Sequence, residues 1–184
     1  MILYINSCVR ENSRTDSLAR RLLDKLGGDY EELYLPGEDL RPLDRETLDR
    51  RTAFCRDGIF EDPMFDYAKQ LAAADTIVIA APCWDLSFPA VLKLYIENIY
   101  VTGLVTKYDD EGHSVGLCRA DKLYYVTTGG GRIDPVYGYE YLRDMFVNLF
   151  GVRNAELLAV EMLDIAGNDP EAILAERRRD FGLD

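Results

Sequence analysis

Three stretches of this 184-residue chain concentrate side chains that could bind or react. The first, Asn6-Ser-Cys-Val-Arg-Glu-Asn-Ser-Arg-Thr-Asp-Ser17, sets hydroxyls, a thiol and two arginines just ahead of a helical pattern. Free N–H groups at such a helix start, with the Ser13 and Thr15 hydroxyls beside Arg14, would seat a phosphate. Simple capping is the competing reading, with Asn12 or Ser13 as the cap and Arg14 in solvent. The second, Ala80-Ala-Pro-Cys-Trp-Asp-Leu-Ser-Phe-Pro-Ala90, carries the only tryptophan, Trp84, and with it Phe88. An aromatic at a pocket mouth can pack on a planar ring system; the plainer alternative is that Trp84 fills a gap beneath residues 36–63. The third, Thr127-Thr-Gly-Gly-Gly-Arg132, places three glycines where a backbone could approach a flat ligand and offer N–H groups, or where a tight turn needs them. No dinucleotide fingerprint follows the first strand and no Walker-type phosphate loop occurs anywhere.

Other chemistry is poorly supported. The four cysteines, Cys8, Cys55, Cys83 and Cys118, form no C-x-x-C pair, and His113 is the only histidine, in a polar turn-like stretch. Neither zinc nor an iron–sulfur cluster has a ligand set, so no metal is expected. Reduced, mostly buried thiols are the default, although Cys8 at a helix N-terminus beside Arg14 would favour a thiolate. The net charge of −12 and pI near 4.6 argue against nucleic acid as a partner. No apolar run approaches the roughly 20 residues of a membrane span. The first residues enter an apolar strand with no signal-peptide pattern, so a cytoplasmic location is expected. Arg10, Arg14 and Arg132 fall within the three stretches, which predicts a locally cationic pocket in an acidic protein.

The elements that must position these stretches follow from hydrophobic periodicity. Strands are expected at Ile2–Ile5, Tyr30–Leu35, Asp75–Pro82, Leu123–Thr127 and Glu156–Met162, with helices at Thr15–Leu26, Phe65–Ala74, Pro89–Val101, from Asp134 or Pro135 onward, and from Asp169-Pro170 to the Arg177-Arg-Arg179 run. Residues 36–63 read as an irregular, charged excursion of short helical pieces. The alternation predicts one α/β domain over residues 1–184, a doubly wound parallel five-stranded sheet between two helical layers, in the order 2-1-3-4-5. Ligands of such sheets lie outside the carboxyl ends of the strands at the switch point, where all three stretches would meet. A phosphate seat, an aromatic and a glycine-rich turn at one place suit a phosphorylated planar cofactor, with FMN the natural candidate. The 89–101 helix is apolar nearly all round, which predicts cover by a second subunit or by the excursion.

The second stretch, continuing Val-Leu-Lys-Leu-Tyr-Ile-Glu97, resembles the A-P-M-[YW]-N-F segment and following L-K helix of flavodoxin-like FMN-dependent NAD(P)H:quinone oxidoreductases and azoreductases. Thr127-Thr-Gly-Gly-Gly131, Ser13-Arg-Thr15, a hairpin-like piece at Thr106-Lys-Tyr108 and Asn148-Leu-Phe-Gly-Val152 extend the likeness over nearly the whole chain. The resemblance implies FMN with its phosphate at Ser13, Arg14 and Thr15. Its isoalloxazine would lie along Cys83, Trp84, Asp85 and Leu86, with its other edge against Thr128, Gly129, Gly130 and Gly131. It also implies a homodimer in which NADH or NADPH and a quinone-like planar acceptor bind in turn. Two positions depart from the pattern. Asp85 stands for the usual asparagine and, when ionised, can only accept hydrogen bonds, leaving donation there to the backbone; Cys8 stands for a common serine. Cys8-x5-Arg14-Thr15 also matches the phosphate loop of low-molecular-weight cysteine phosphatases, with Asp134-Pro135 resembling their acid segment, although the loop lacks glycine. A non-catalytic flavin-binding or electron-transfer module is the third reading.

Overall fold

The computed structural model describes all residues, Met1–Asp184. Five parallel strands, β1 (Ile2–Asn6), β2 (Tyr30–Tyr34), β3 (Thr76–Ala80), β6 (Lys122–Thr128) and β7 (Ala155–Val160), pair in the order β2-β1-β3-β6-β7. A two-stranded hairpin, β4 (Thr106–Tyr108) with β5 (Ser114–Gly116), stands apart, so the sheet has the expected 2-1-3-4-5 order once it is set aside.

The central strands read as continuous apolar runs because both sheet faces are covered. Their side chains alternate between two cores. Leu3, Ile5, Ile77, Ile79, Leu123 and Tyr125 face one side, and Tyr4, Val78, Ala80, Val126 and Leu158 the other. On the first side lie α3 (Asp66–Ala73), α4 (Ala90–Ile99) and α5 (Tyr139–Arg143). On the second lie α1 (Arg14–Leu26) and α6 (Pro170–Asp180), which bury Leu18, Leu22, Leu23 and Leu174. The helix starts are chemically marked: Ser13 Oγ accepts from Asp16 N, and Asp169 accepts from Glu171 N and Ala172 N with Pro170 at the first helical position.

Two expectations need correction. Residues 36–63 are not a set of short pieces but are dominated by a regular 13-residue helix, α2 (Arg45–Asp57), whose cap Asp44 accepts from Thr47 N. No residue of α2 is fully buried, so it has no continuous apolar stripe for periodicity to reveal. It is held by one edge instead: Phe54, and Phe60 just beyond the helix end, pack on buried Phe65 at 6.0 and 5.3 Å between ring centroids. The helix expected from Pro135 is interrupted. A 3-10 turn (Pro135–Tyr137) capped by Asp134 leads through Gly138 into α5, which continues as a π-helix over Asp144–Leu149.

The breadth of α4 is explained in part by the chain itself. Arg51 Nη1 donates to the Glu97 carbonyl at 2.9 Å and Asn98 Nδ2 to the Arg41 carbonyl at 3.1 Å, so the 36–63 segment lies against its outer side. His113 is exposed at the hairpin tip beside Asp109.

Candidate functional site

Parallel register brings Asn6, Ala80 and Val126 side by side, so the loops after β1, β3 and β6 leave the sheet together. They border one cleft of about 640 Å³. Nine of the sequence-derived candidates line it: Ser13, Arg14, Thr15, Cys83, Trp84, Asp85, Thr128, Gly129 and Gly130. Leu86 and Gly131 do not; Leu86 projects, mostly exposed, from the adjacent turn toward a smaller recess over Tyr125.

The first loop is fixed from below. Asn6 Oδ1 accepts from Cys8 N at 2.9 Å, while Asn6 Nδ2 bridges Asp16 and Glu32 at 3.1 and 3.0 Å. Buried Thr15 and Thr128 hydroxyls meet at 2.7 Å, tying the first loop to the third, and Cys83 N donates to the Thr128 carbonyl at 2.9 Å, tying the third to the second. The three loops are therefore tied to one another by hydrogen bonds. The N–H groups of Arg14 and Thr15 at the start of α1, and of Gly130 and Gly131, donate to no acceptor within the protein.

In the second loop, Trp84 and Ser87 exchange backbone hydrogen bonds, closing a two-residue turn over Asp85 (φ 50°) and Leu86 (φ 73°). The left-handed region costs a residue with a Cβ about 1–2 kcal/mol. Besides these two, the only non-glycine residue with positive φ is Met162 (φ 67°), in the loop after β7, whose next two residues line the same cleft. Backbone strain is thus concentrated around one site, where binding surfaces hold it. The Asp85 and Leu86 N–H groups are likewise without internal acceptors.

Trp84 is 37% exposed at the cleft and belongs to neither core, so it fills no gap beneath residues 36–63. Phe88 has a structural task instead: it packs on Tyr141 at 5.8 Å between centroids, against the core. None of the three glycines has a positive φ; Gly129 and Gly130 are explained by close approach, to Ile133 and Asp164, while nothing packs where a Gly131 side chain would stand. A Cβ on Gly130 would lie 2.5 Å from Asp164 Oδ2.

Leu163 and Asp164, from the loop after β7, also line the cleft and escaped the sequence reading. No motif marks them; the only available signal was that a fifth parallel strand also ends at this edge. Asp164 pairs with Arg14 at 2.9 Å. Its presence corrects the expected cationic pocket: Arg10 and Arg14 are matched by Asp85 and Asp164, and Arg132 does not line the cleft.

Cys8 is also corrected. Its side chain is buried, Sγ lies 3.8 Å from the Ala80 carbonyl, and burial pushes the thiol up to about 11 rather than favouring a thiolate. With Cys8 protonated and Arg14 paired to Asp164, the Cys8-x5-Arg14 spacing does not assemble a phosphatase nucleophile. Burial also raises the half-buried Cys83. No helix is long and apolar enough to cross a membrane.

Comparison with known proteins agrees with this geometry. A family model described as flavodoxin-like fold matches residues 1–182. The chain is similar to a Clostridium perfringens protein named FMN-dependent NADH:quinone oxidoreductase, 42% identical over 188 residues, with 95% of this chain and 92% of the relative covered. A Clostridium acetobutylicum protein named FMN-dependent NADH:quinone oxidoreductase 2 is 47% identical over 114 residues; that match spans 59% of this chain and 56% of the relative. Among solved structures, an azoreductase from Bacillus anthracis superimposes with a TM-score of 0.82 at 24% identity, covering 97% of this chain and 95% of that one, a likeness of fold. On the sheet order, the loop geometry and a match running through residue 182, this chain belongs to the flavodoxin-like family.

Proposed function

We propose that this chain is an FMN-dependent oxidoreductase that passes hydride from NADH to a quinone-like or other planar acceptor. The observation that carries this reading is the convergence of unpaired N–H groups from three loops, with an exposed Trp84, on one cleft at the switch point. The relatives' names, with FMN and NADH in them, support the choice of cofactor and donor.

The donor set fits a phosphorylated flavin. The phosphate would take the Arg14 and Thr15 N–H groups and the Ser13 hydroxyl, whose oxygen accepts from Asp16 N and whose proton can turn toward it. The ring system would lie along Cys83, Trp84 and Asp85, with Thr128, Gly129 and Gly130 at its other edge. Its carbonyl and ring-nitrogen acceptors call for donors, which the Asp85 and Gly130 backbone supplies and the Asp85 carboxylate does not. The bound flavin would supply the hydride chemistry, while the chain orients donor and acceptor in turn over it. No side chain is required as a general base.

Rapid mixing of the yellow protein with NADH is expected to bleach the flavin absorption band, and a quinone added afterwards to restore it. Flavin that stays oxidised with NADH would overturn the reductase reading in favour of a carrier. A colourless protein that cleaves an aryl phosphate would overturn the flavin reading altogether.

We extend the proposal to assembly and location: a homodimer in the cytoplasm, residues 1–184 acting as one unit. Trp84, Leu86, Val136 and Tyr137 form an exposed apolar rim beside the cleft, of the kind a second copy would cover. Sedimentation at micromolar concentration should show twice the 20.9 kDa chain mass; a monomer alone would contradict the dimer.

A further inference from the structure

We propose that Asp164 is a built-in competitor for the flavin phosphate, holding the Arg14 guanidinium until the phosphate displaces it. The inference rests on the reading of the cleft as an FMN site and adds to it a residue that sets cofactor affinity.

Asp164 reaches Arg14 from the far side of the cleft, 150 residues away in sequence, and its carboxylate is the only anionic partner Arg14 has. The placement is built in. Asp164 N donates to the Gly130 carbonyl at 2.9 Å, Met162 two residues earlier is held at φ 67°, and the missing side chain of Gly130 leaves the space that Asp164 Oδ2 occupies. Only a glycine at position 130 permits this, because a Cβ would come within 2.5 Å of that oxygen. The Arg14 backbone N–H, at the start of α1, belongs to the phosphate seat, so carboxylate and phosphate are drawn to one guanidinium.

The magnitudes decide which anion holds it. The Arg14 and Asp164 side chains are 38% and 65% exposed, and a pair of that kind contributes about 0–1 kcal/mol. A phosphate monoester carries about −1.5 to −2 charges and three acceptor oxygens, and it gains the helix-start N–H groups as well. The carboxylate yields, but its competition and its repulsion of the phosphate reduce the net affinity. An ionised carboxylate has no proton to donate, so Asp164 cannot compensate by a bond to the phosphate.

The test is Asp164→Asn, an isosteric change at an exposed position, with flavin-free full-length chain titrated with FMN and with riboflavin by fluorescence quenching. FMN affinity should rise roughly fivefold, the scale of an exposed ion pair, while riboflavin, which lacks the phosphate, should change by less than about twofold. Raised salt should shrink the difference between variant and parent for FMN only. An FMN affinity that is unchanged or weaker, or a riboflavin affinity that rises equally, overturns the competitor. Failure of the parent protein to bind either flavin would instead remove the functional reading beneath it, a distinct result.

Discussion

Replacing Gly130 with valine is expected to weaken FMN binding about 100-fold, the upper end of what overpacking a close-fitting surface costs, while the melting temperature stays within about 4 °C of the parent. Gly130 lines the cleft, and its φ lies outside the left-handed region, so the backbone tolerates a β-branched side chain. What the new Cβ meets most closely is the Asp164 carboxylate, the exposed end of a side chain that can swing into solvent, and next the Asp164 Cβ and Cγ at 3.1 Å, which need give by only a few tenths of an ångström. Folding is therefore little affected. Two effects on the cofactor then oppose each other. Driving Asp164 away from Arg14 removes the competitor and favours FMN by roughly fivefold. The isopropyl group meanwhile stands beside the Gly130 N–H, where the flavin edge would lie, and this steric block outweighs the gain. Flavin fluorescence titration beside differential scanning fluorimetry separates the two. A valine variant that retains FMN at parental affinity would remove the third loop from the binding surface.

Gly116→Ala is expected to lower the melting temperature by about 6–12 °C, the shift that about 3 kcal/mol produces in a chain of this size. Gly116 ends the hairpin, and a Cβ there would be driven into the backbone of Gly151 and Phe150. Neither side can yield. The Cys118 N–H donates to the Phe150 carbonyl at 2.9 Å, and Phe150 itself is wholly buried between Tyr100 and Phe146. Gly151 sits at φ 84° with its own Cβ position blocked by the Gly116 backbone, so the two glycines form a backbone-to-backbone clamp between the hairpin and the end of the π-helix. Thermal melts of the parent and variant check this. A variant melting within 2 °C of the parent would mean that the hairpin docks without the clamp. The flavin affinity of the folded fraction should be unaffected, since the clamp is remote from the cleft.

How much of the site was legible can be judged residue by residue. Ser13, Trp84, Gly129 and Gly130 announced themselves by type and by position after an apolar strand, and the parallel sheet brought their loops together. The Asp169 cap was legible, and the first cap was narrowed to Asn12 or Ser13, of which the structure uses Ser13, because a cap is satisfied by N–H groups two or three residues away. Phe88 was misread because an aromatic's neighbours cannot be seen from its own segment: Tyr141, on which it packs, lies on a helix that follows another strand. Helix α2 escaped because periodicity reports a buried stripe, and α2 buries none.

The sequence by itself determined the five sheet strands, their order and the three loops of the cleft, because alternating strand and helix periods, glycine turns and caps express forces between residues a few positions apart. Only the tertiary structure decided the electrostatics within the cleft. Asp164 enters it from a fourth loop and neutralises Arg14, Cys8 is buried against the Ala80 carbonyl and kept protonated, and Asp85 and Leu86 are held in left-handed backbone. Charge, burial and strain depend on which groups the packed chain brings within a few ångströms. The decisive partner of Arg14 lies 150 residues away, where no local pattern can register it.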